Sequence, residues 1–375
     1  MMLRPLVIAW KELLQLRRDR MTLAMMAMLP LLQLMLFGYA INTDVRHIPT
    51  VVYDSDHSAA SRDLVRSLEA TRFYDIVGQV QSYGEIEVAL RSSRARVALV
   101  IPPDYSSRLT RGQRASLSLL VDGSDPQTVA SATNTAASLI AARSSELVLG
   151  RLGKLGGGVV SEPISLEPNT LYNPDLRTAV YVVPGLVGVI LTMTMVMLTA
   201  MAIARERERG TLEQLIVSPV KRVELVVGKI LPYVGIGYVQ MSLILLLGRV
   251  VFDVPLVGSL GLLFALAFVF IASNLALGLF FSTLAKTQQQ AMQMSFFFLL
   301  PNILLSGFMF PFEAMPRPAQ ILAQVLPLTH FLRIVRGIVL KGSHFADVQG
   351  ELYSLCVLLG VLVLMASLRF TKKLA

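Results

Sequence analysis

The fold is decided by residues 179–222, AVYVVPGLVGVILTMTMVMLTAMAIARERERGTLEQLIVSPVKR, which join two different kinds of sequence. Residues 179–204 hold no charged side chain, and residues 205–209 then alternate Arg with Glu. About 20 apolar residues in a helix cross a bilayer core of about 30 Å. The uncharged run is therefore long enough to span a membrane, and the charged run indicates a return to water.

Similar uncharged runs recur along the chain, which has 375 residues, 54% of them hydrophobic and only 16% charged. Soluble domains average about 25% charged residues. The first run lacks a small-residue cleavage site after it, so we expect a retained anchor rather than a signal peptide. The runs predict six membrane helices, over residues 21–41, 178–204, 230–250, 257–283, 291–311 and 351–369.

Lys and Arg residues predict the orientation of these helices. With six spans, the segments before the first span and after the second, fourth and sixth lie on one side, and they hold most of the flanking cations. Cations in short loops mark the cytoplasmic side. We therefore predict that both termini, including the tail 370–375, are cytoplasmic and that the chain is a multi-pass protein of the inner (cytoplasmic) membrane.

The segment between the first two spans, residues 42–177, is too long for a simple loop. Strands that alternate with helices indicate an α/β domain, which this topology places outside the cytoplasm. A long Ala-, Ser- and Thr-rich helix over 125–153 is expected to return the chain toward the membrane. The predicted strands cover 48–54, 73–80, 96–103 and 115–123, and the predicted helices cover 58–70 and 83–93.

Two shorter segments complete the predicted fold. Residues 1–20 are basic, periodic and contain a Trp, as is typical of an amphipathic interfacial helix; a plain extension of the first span is the alternative. Residues 312–350 are too polar to span, and we expect short helices that dip into the outer leaflet. The predicted fold class is an all-α six-helix membrane core with an inserted α/β extracytoplasmic domain.

The charged end of the opening stretch predicts a short helix inside the cytoplasmic loop, residues 205–229. Gly210 can end the preceding helix in a left-handed conformation. Thr211 can cap a new helix, with Gln214 at its third position as in a capping box.

One face of this short helix is apolar, because Leu212, Leu215 and Ile216 are spaced three and four residues apart. A two-turn helix stabilises little by itself, so we expect its ridge to fit a groove in a cytoplasmic partner; a structural turn between spans is the alternative. The candidate coupling residues are Gly210, Thr211, Leu212, Glu213, Gln214, Leu215, Ile216, Val217, Ser218 and Pro219.

At these residues the chain resembles a known family. RERERGTLEQLIVSPVKRVELVVGKI, residues 205–230, resembles the cytoplasmic loop of ABC-2 type transporter permeases, and LPLTHFLRIVRGIVLKG, residues 326–342, resembles their segment before the last span. The large outer domain is similar to that of the drug-exporter branch. The resemblance implies a homodimer or a heterodimer with a paralogue, in which each copy docks a separate ATPase and exports drugs or other amphiphilic molecules.

The chain itself offers no convincing catalytic, metal or cofactor motif. GRLGKLGGG, residues 150–158, lacks the first Gly and the final Ser or Thr of a Walker motif. His47, His57, His330 and His344 have no ligand spacing, so we expect ordinary surface residues. We therefore expect ATP and Mg to be bound by the partner ATPase. The net charge of +9 comes mostly from Lys and Arg residues that flank the membrane helices, so it does not predict nucleic-acid binding.

Met and aromatic residues in the second and fifth spans are candidates for an adaptable apolar pathway; helix packing or lipid contact is the alternative. Arg333 and Arg336 are expected near the outer surface, where anionic headgroups of membrane lipid, a sister subunit or solvent are all possible contacts. The candidate pathway residues are Met193, Met197, Met294, Phe297 and Asn302.

A second class of function stays open: a membrane-anchored sensor or scaffold whose outer domain binds a ligand or envelope partner. A sensor usually carries a sizeable cytoplasmic output domain, and we predict only short cytoplasmic segments here. The permease interpretation is therefore favoured. Its outer domain is a candidate docking site for a periplasmic adaptor protein.

Overall fold

The computed structural model describes residues 45–155, 163–208, 210 and 222–369. The predicted interfacial helix 1–20, the first span 21–41 and the tail 370–375 lie outside these residues. Their predictions, and the orientation of the termini, therefore stay predictions.

The α/β domain predicted from alternating strand and helix patterns is confirmed. Ser58 and Ser82 cap its first two helices, each accepting a hydrogen bond from the backbone N–H three residues later, as Ser does at helix N-termini. The elements are β1 Ile48–Asp54, α1 Ala59–Ala70, β2 Tyr74–Gln79, α2 Tyr83–Arg91, β3 Val97–Ile101, α3 Tyr105–Thr110, β4 Ala115–Asp122, α4 Pro126–Leu155 and β5 Ile164–Leu171.

The five strands form one sheet in the order β2-β1-β3-β4-β5. β1 pairs in parallel with β2 and β3, β4 is antiparallel to β3, and β5 is parallel to β4. All five residues of β3 are buried, as expected for a central strand covered on both faces. The carboxyl end of β4 carries Asp122, which lies against the helical part of the molecule.

The strand β5 and the short helix α3 were not predicted. The sequence of β5, ISLEPNTL, contains Pro168 and several polar residues, which weakens a strand pattern. Pro is tolerated on edge strands because one side of the strand needs no donors. β5 is an edge strand, and its pairing with β4 is what defines it.

The helical part contains seven α-helices among the described residues. Four of them contain a segment that is long and apolar enough to cross a membrane. These segments are Thr178–Glu208, Pro232–Phe252, Leu260–Leu284 and Phe345–Leu368. The helices are α5 Thr178–Glu208, α6 Arg222–Phe252, α7 Leu260–Leu284, α8 Gln288–Leu305, α9 Arg317–Gln324, α10 Pro327–Lys341 and α11 Phe345–Arg369.

The predicted count of six spans is not established by the described residues. α8 ends at Leu305, before the predicted end at residue 311, and it is not among the four helices that meet the criterion. α9 and α10 meet it only as a pair, bent by 83°. Such a pair forms a broken span or a re-entrant hairpin, which fits the expectation of short dipping helices over 312–350.

The core of the helical part lies where α5, α7 and α10 meet. Phe270 of α7 and Phe331 of α10 are fully buried, and their rings stack with centroids 4.0 Å apart and an interplanar angle of 3°. Leu328 and Phe331 also pack against Gly188 of α5, where an added Cβ would lie 2.6 Å and 3.2 Å from their side chains. This contact fixes α10 against the bundle.

We expect Gly278→Ala to destabilise the bundle by about 1–3 kcal/mol, because it overpacks the contact between α5 and α7. A Cβ at Gly278 would lie 2.6 Å from the Val196 carbonyl oxygen and 2.9 Å from Thr199 Cβ. Denaturant unfolding of the purified protein in detergent measures the change. Gly360→Ala is the matched control, since nothing lies within 4 Å of a Cβ there; equal effects of the two changes would contradict the packing.

Candidate functional site

The charged end of α5 is bound to the turn between α7 and α8. Arg207 Nη1 donates to the carbonyl oxygen of Ala285 at 2.7 Å. Glu208 accepts from the backbone N–H of Gln288 at 2.8 Å and from its side-chain amide at 2.6 Å. Arg205 Nε donates to Gln288 Oε1 at 3.1 Å. These three residues of the charged run that follows the second predicted span remain exposed, and they brace the first turn of α8.

Gly210 follows this braced end with φ of +68°, the left-handed conformation predicted for the end of the helix. Its N–H donates to the Arg207 carbonyl at 3.2 Å. The rest of the candidate coupling helix, residues 211–219, lies outside the described residues. Its apolar ridge, and its role, stay predictions.

Two of the candidate pathway residues, Met193 and Met197, line one cleft between α5 and α8. The cleft is a narrow, partly open recess, and the figure of about 210 Å³ for its empty space includes open solvent. Met193 is exposed within the chain and Met197 is half-buried. The cleft is lined by Thr192, Met193, Val196, Met197, Ser295, Phe296, Phe298 and Leu299.

The other three candidates lie near this cleft on α8 but do not line it. Met294 packs against a small cluster of alanines on α5, on α8 and in the turn before α8, and Phe297 is half-buried. Asn302 is buried, as expected for a polar group that faces protein, and its side chain has no hydrogen-bond partner among the described residues. Phe296, one of the aromatic residues of the fifth span predicted to contribute to the pathway, does line the cleft. Leu299 was missed, although its spacing of three residues from Phe296 puts the two on one helix face.

A cluster of charged residues joins the α/β domain to the helical part. Lys341, at the end of α10, donates to Asp122 Oδ2 at 2.5 Å, to Ser93 Oγ at 2.9 Å and to the Leu90 carbonyl at 3.1 Å. Its side chain is 2% exposed and that of Asp122 is fully buried. All three ammonium protons thus have acceptors in the α/β domain.

Arg96 extends this cluster across the same contact. Its Nη1 donates to Asp122 at 2.7 Å, and its Nε lies 3.4 Å from Glu313. Burial would raise the pKa of Asp122, but the nearby charges of Lys341 and then Arg96 outweigh it and hold this pKa below its usual value. Asp122 therefore stays ionised, and its charge is divided between two cations from different parts of the chain.

Two further charged residues, Arg336 and Asp125, lie at the same contact, but the described residues show no ion pair between them. Arg336 Nη1 donates to the Gly307 carbonyl at 3.0 Å, and its guanidinium lies 4.2 Å from the centroid of the Tyr181 ring. The Asp125 carboxylate accepts hydrogen bonds from Thr128 Oγ1 at 2.8 Å and from the backbone N–H of Gln127 at 3.0 Å. Burial raises the pKa of Asp125.

His330 is not the surface residue that its sequence context predicted. It is 3% exposed; its Nδ1 lies 2.6 Å from Glu351 Oε2 and its Nε2 lies 2.9 Å from the Gln324 carbonyl. Arg333 binds the other oxygen of Glu351 at 2.9 Å and stacks on Phe312. Of the open possibilities for Arg333, a freely solvated side chain is thereby excluded.

Among the described residues, no group of three or more His, Cys, Asp or Glu side chains could hold a metal ion. What the geometry contains is a surface-connected cleft, a braced helix end and a charged contact between domains.

The chain is similar to known proteins along most of its length. The chain is 32% identical over 348 residues to the probable multidrug ABC transporter permease YbhR of Escherichia coli K12, covering 93% of both chains. It is 28% identical over 335 residues to the probable multidrug ABC transporter permease YbhS, covering 89% of this chain and 87% of that one.

One solved structure, a domain of a putative ABC type-2 transporter from Thermotoga maritima, matches 32% of this chain and 84% of its own, at 22% identity and a TM-score of 0.27. The family model described as ABC-2 family transporter protein matches residues 20–368. The chain is therefore a multi-pass membrane protein that belongs to the ABC-2 family of transporter permeases, which are transport proteins rather than catalytic enzymes.

Proposed function

We propose that this chain is the membrane subunit of an ATP-driven exporter that moves drugs or other amphiphilic molecules out of the cytoplasm or inner leaflet. A separate ATPase docks on the loop 205–229, and the short helix 211–218 transmits its motion. ATP and Mg are bound by that partner. The α/β domain is extracytoplasmic in this proposal, and both termini are cytoplasmic.

The observation that carries this proposal is the course of α5. The helix begins at Thr178 beside the α/β domain, passes Met193 and Met197 in the cleft, and ends at Glu208 on the turn before α8. The two helices that line the cleft are therefore bound together next to the loop. A displacement of the loop would act on both walls of the cleft at once.

The composition of the cleft supports an amphiphilic cargo. Its walls combine thioether and aromatic side chains, Met193, Met197, Phe296 and Phe298, with two hydroxyls, Thr192 and Ser295. Flexible Met side chains and aromatic rings can adapt to cargo of different shapes. Met193 and Phe296 are exposed in the single chain, as expected of residues that face a central pathway or a second copy.

The proposal includes a dimer, with a second copy or with a paralogue. The outward face of α6 is apolar and needs lipid or protein to cover it. The relatives include two different multidrug ABC transporter permeases of one organism, which makes a heterodimer as reasonable as a homodimer. The exposed large apolar side chains on α6 are Ile236, Val239, Leu243, Leu246, Leu247, Val250, Val251 and Phe252.

Charged substitutions in the loop helix test the proposal. We expect Leu215→Asp or Ile216→Asp to lower copurification of the ATPase at least tenfold and to abolish its stimulation, because a buried carboxylate without a partner costs several kcal/mol. The measurement compares ATPase recovered with the affinity-purified permease from cells that express both proteins. Membrane insertion should be unchanged.

Val77→Asp is the matched control, since it adds the same charge at an exposed site of the α/β domain. It should leave the ATPase bound. Normal copurification and stimulation with both loop variants would rule out the coupling assignment. Binding of an envelope adaptor by the α/β domain, with no ATPase bound, would favour the scaffold alternative.

A further inference from the structure

A cleft between the α/β domain and the helical part has a charge arrangement that the transport proposal does not use. It lies between the turn after β4, the turn after α8 and the second half of α10. Its empty space of about 490 Å³ includes open solvent. Its charged lining residues are Arg96, Asp125, Glu313, Arg333, Arg336 and Lys341.

Among these cations, Arg336 alone has no carboxylate within ion-pair distance in the described part of the chain. Arg96 pairs with Asp122 and Glu313, Lys341 with Asp122, and Arg333 with Glu351. The nearest candidate for Arg336, Asp125, forms no ion pair with it and accepts hydrogen bonds from its own helix instead. Arg336 thus forms no ion pair among the described residues, and its nearest opposite charge is the Asp125 carboxylate, whose pKa it lowers against the effect of burial.

The guanidinium of Arg336 is held in one orientation. Nη1 donates to the Gly307 carbonyl at 3.0 Å, and the plane packs over Tyr181. Tyr181 cannot turn freely, since its hydroxyl donates to the Phe308 carbonyl at 2.8 Å. Nε and Nη2 are shielded from solvent and have no hydrogen-bond partner among the described residues.

Nε and Nη2 form one edge of the guanidinium, and two parallel N–H groups on that edge match the two oxygens of a carboxylate or phosphate. Shielded donors without acceptors cost free energy, and native proteins rarely retain them without a purpose. We propose that this cleft binds the oxyanion headgroup of an amphiphile, a phosphate or a carboxylate, through Arg336, and that the side chains shielding Nε and Nη2 move apart as the headgroup binds.

The surroundings favour a headgroup attached to an apolar tail over a free anion. Leu332 and Phe312 supply apolar wall to the cleft, and Tyr181 lies in the first turn of the membrane helix α5. Ile321 and Leu322 of the neighbouring helix α9 are exposed, as is Val325 directly after it. A tail lying along such apolar side chains at the membrane boundary would leave the headgroup at the level of Arg336.

The charge of Asp125 should oppose binding of an anionic headgroup. Its carboxylate lines the same cleft and would repel an anionic headgroup. Asp125→Asn removes that charge and can still cap α4 through its side-chain oxygen. Binding should therefore tighten when Asp125 is neutral and weaken when Arg336 is neutral.

The test uses the full chain in detergent and three soluble probes: dioctanoyl phosphatidic acid, dioctanoylglycerol with the same tails but no phosphate, and inorganic phosphate with no tail. Affinity is read from the concentration dependence of thermal stabilisation. We expect the phosphatidic acid to bind at least tenfold more tightly than either other probe. Equal binding of dioctanoylglycerol would overturn the oxyanion site, and equal binding of inorganic phosphate would overturn the amphiphile.

Variants locate the site. Arg336→Gln should weaken phosphatidic acid binding about tenfold or more, Arg336→Lys should weaken it less, and Asp125→Asn should tighten it a few-fold. Arg317→Gln, an exposed cation on α9, should bind as the unchanged chain does. If Arg336→Gln does not fold, the last three variants decide; affinities unaltered in Arg336→Lys and Asp125→Asn would refute the proposal. The readout needs no ATPase, so it stands or fails apart from transport.

Discussion

Replacing Lys341 with Met should destabilise the contact between the α/β domain and α10 by about 3 kcal/mol, the lower end for breaking a buried ion pair. Asp122 would stay fully buried with only Arg96 near its carboxylate. Ser93 Oγ and the Leu90 carbonyl would each lose a charged donor. Denaturant unfolding of the detergent-purified chain measures the change.

A double variant separates the charge from the loss of packing. Asp122→Asn combined with Lys341→Met removes both charges. We expect the double variant to lose about 1–3 kcal/mol less unfolding free energy than the two single variants lose in sum. Lys286→Met is the control for removal of an exposed lysine and should change stability by less than about 0.5 kcal/mol. Strictly additive single changes would show that the two groups do not interact.

Phe331→Ala should cost about 3–5 kcal/mol, because it leaves a cavity in the core of the helical part. The ring is fully buried, stacks on Phe270 at 4.0 Å and packs against Gly188 of α5. Three helices therefore lose contacts at once. Phe331→Leu keeps most of the volume, and we expect it to cost less than about 2 kcal/mol.

Phe345→Ala removes the same side chain from an exposed position in the first turn of α11. It should change the free energy of unfolding by less than about 1 kcal/mol. Unfolding in detergent by denaturant, with helix content as the signal, compares the three variants. A Phe331→Ala protein as stable as the Phe345→Ala protein would contradict the stacked core.

The α/β domain could be predicted because local patterns suffice for most of it. β3 is a short, wholly apolar run, and the caps Ser58 and Ser82 precede clear helical periodicity. β5 could not be predicted in this way. Its identity as a strand comes from pairing with β4 about 50 residues earlier in the chain, and Pro168 argues locally against it.

The functional features were predictable to the extent that they depend on neighbouring residues. Gly210 has the left-handed conformation expected at the end of α5, and Met193 and Met197 line a cleft. The partners of Lys341 were not predictable, since 219 residues separate it from Asp122. The buried position of His330 also depends on a distant residue, Glu351 of α11.

The charged contact between the two parts of the molecule limits how the bundle can open. Lys341 at the end of α10 and Asp347 at the start of α11 are each bound to the α/β domain, through Asp122 and Arg91. Neither helix can tilt far without either carrying the sheet with it or separating these charges. A protein that binds the far edge of the sheet, at strand β2, could therefore change the positions of these helices without contacting them.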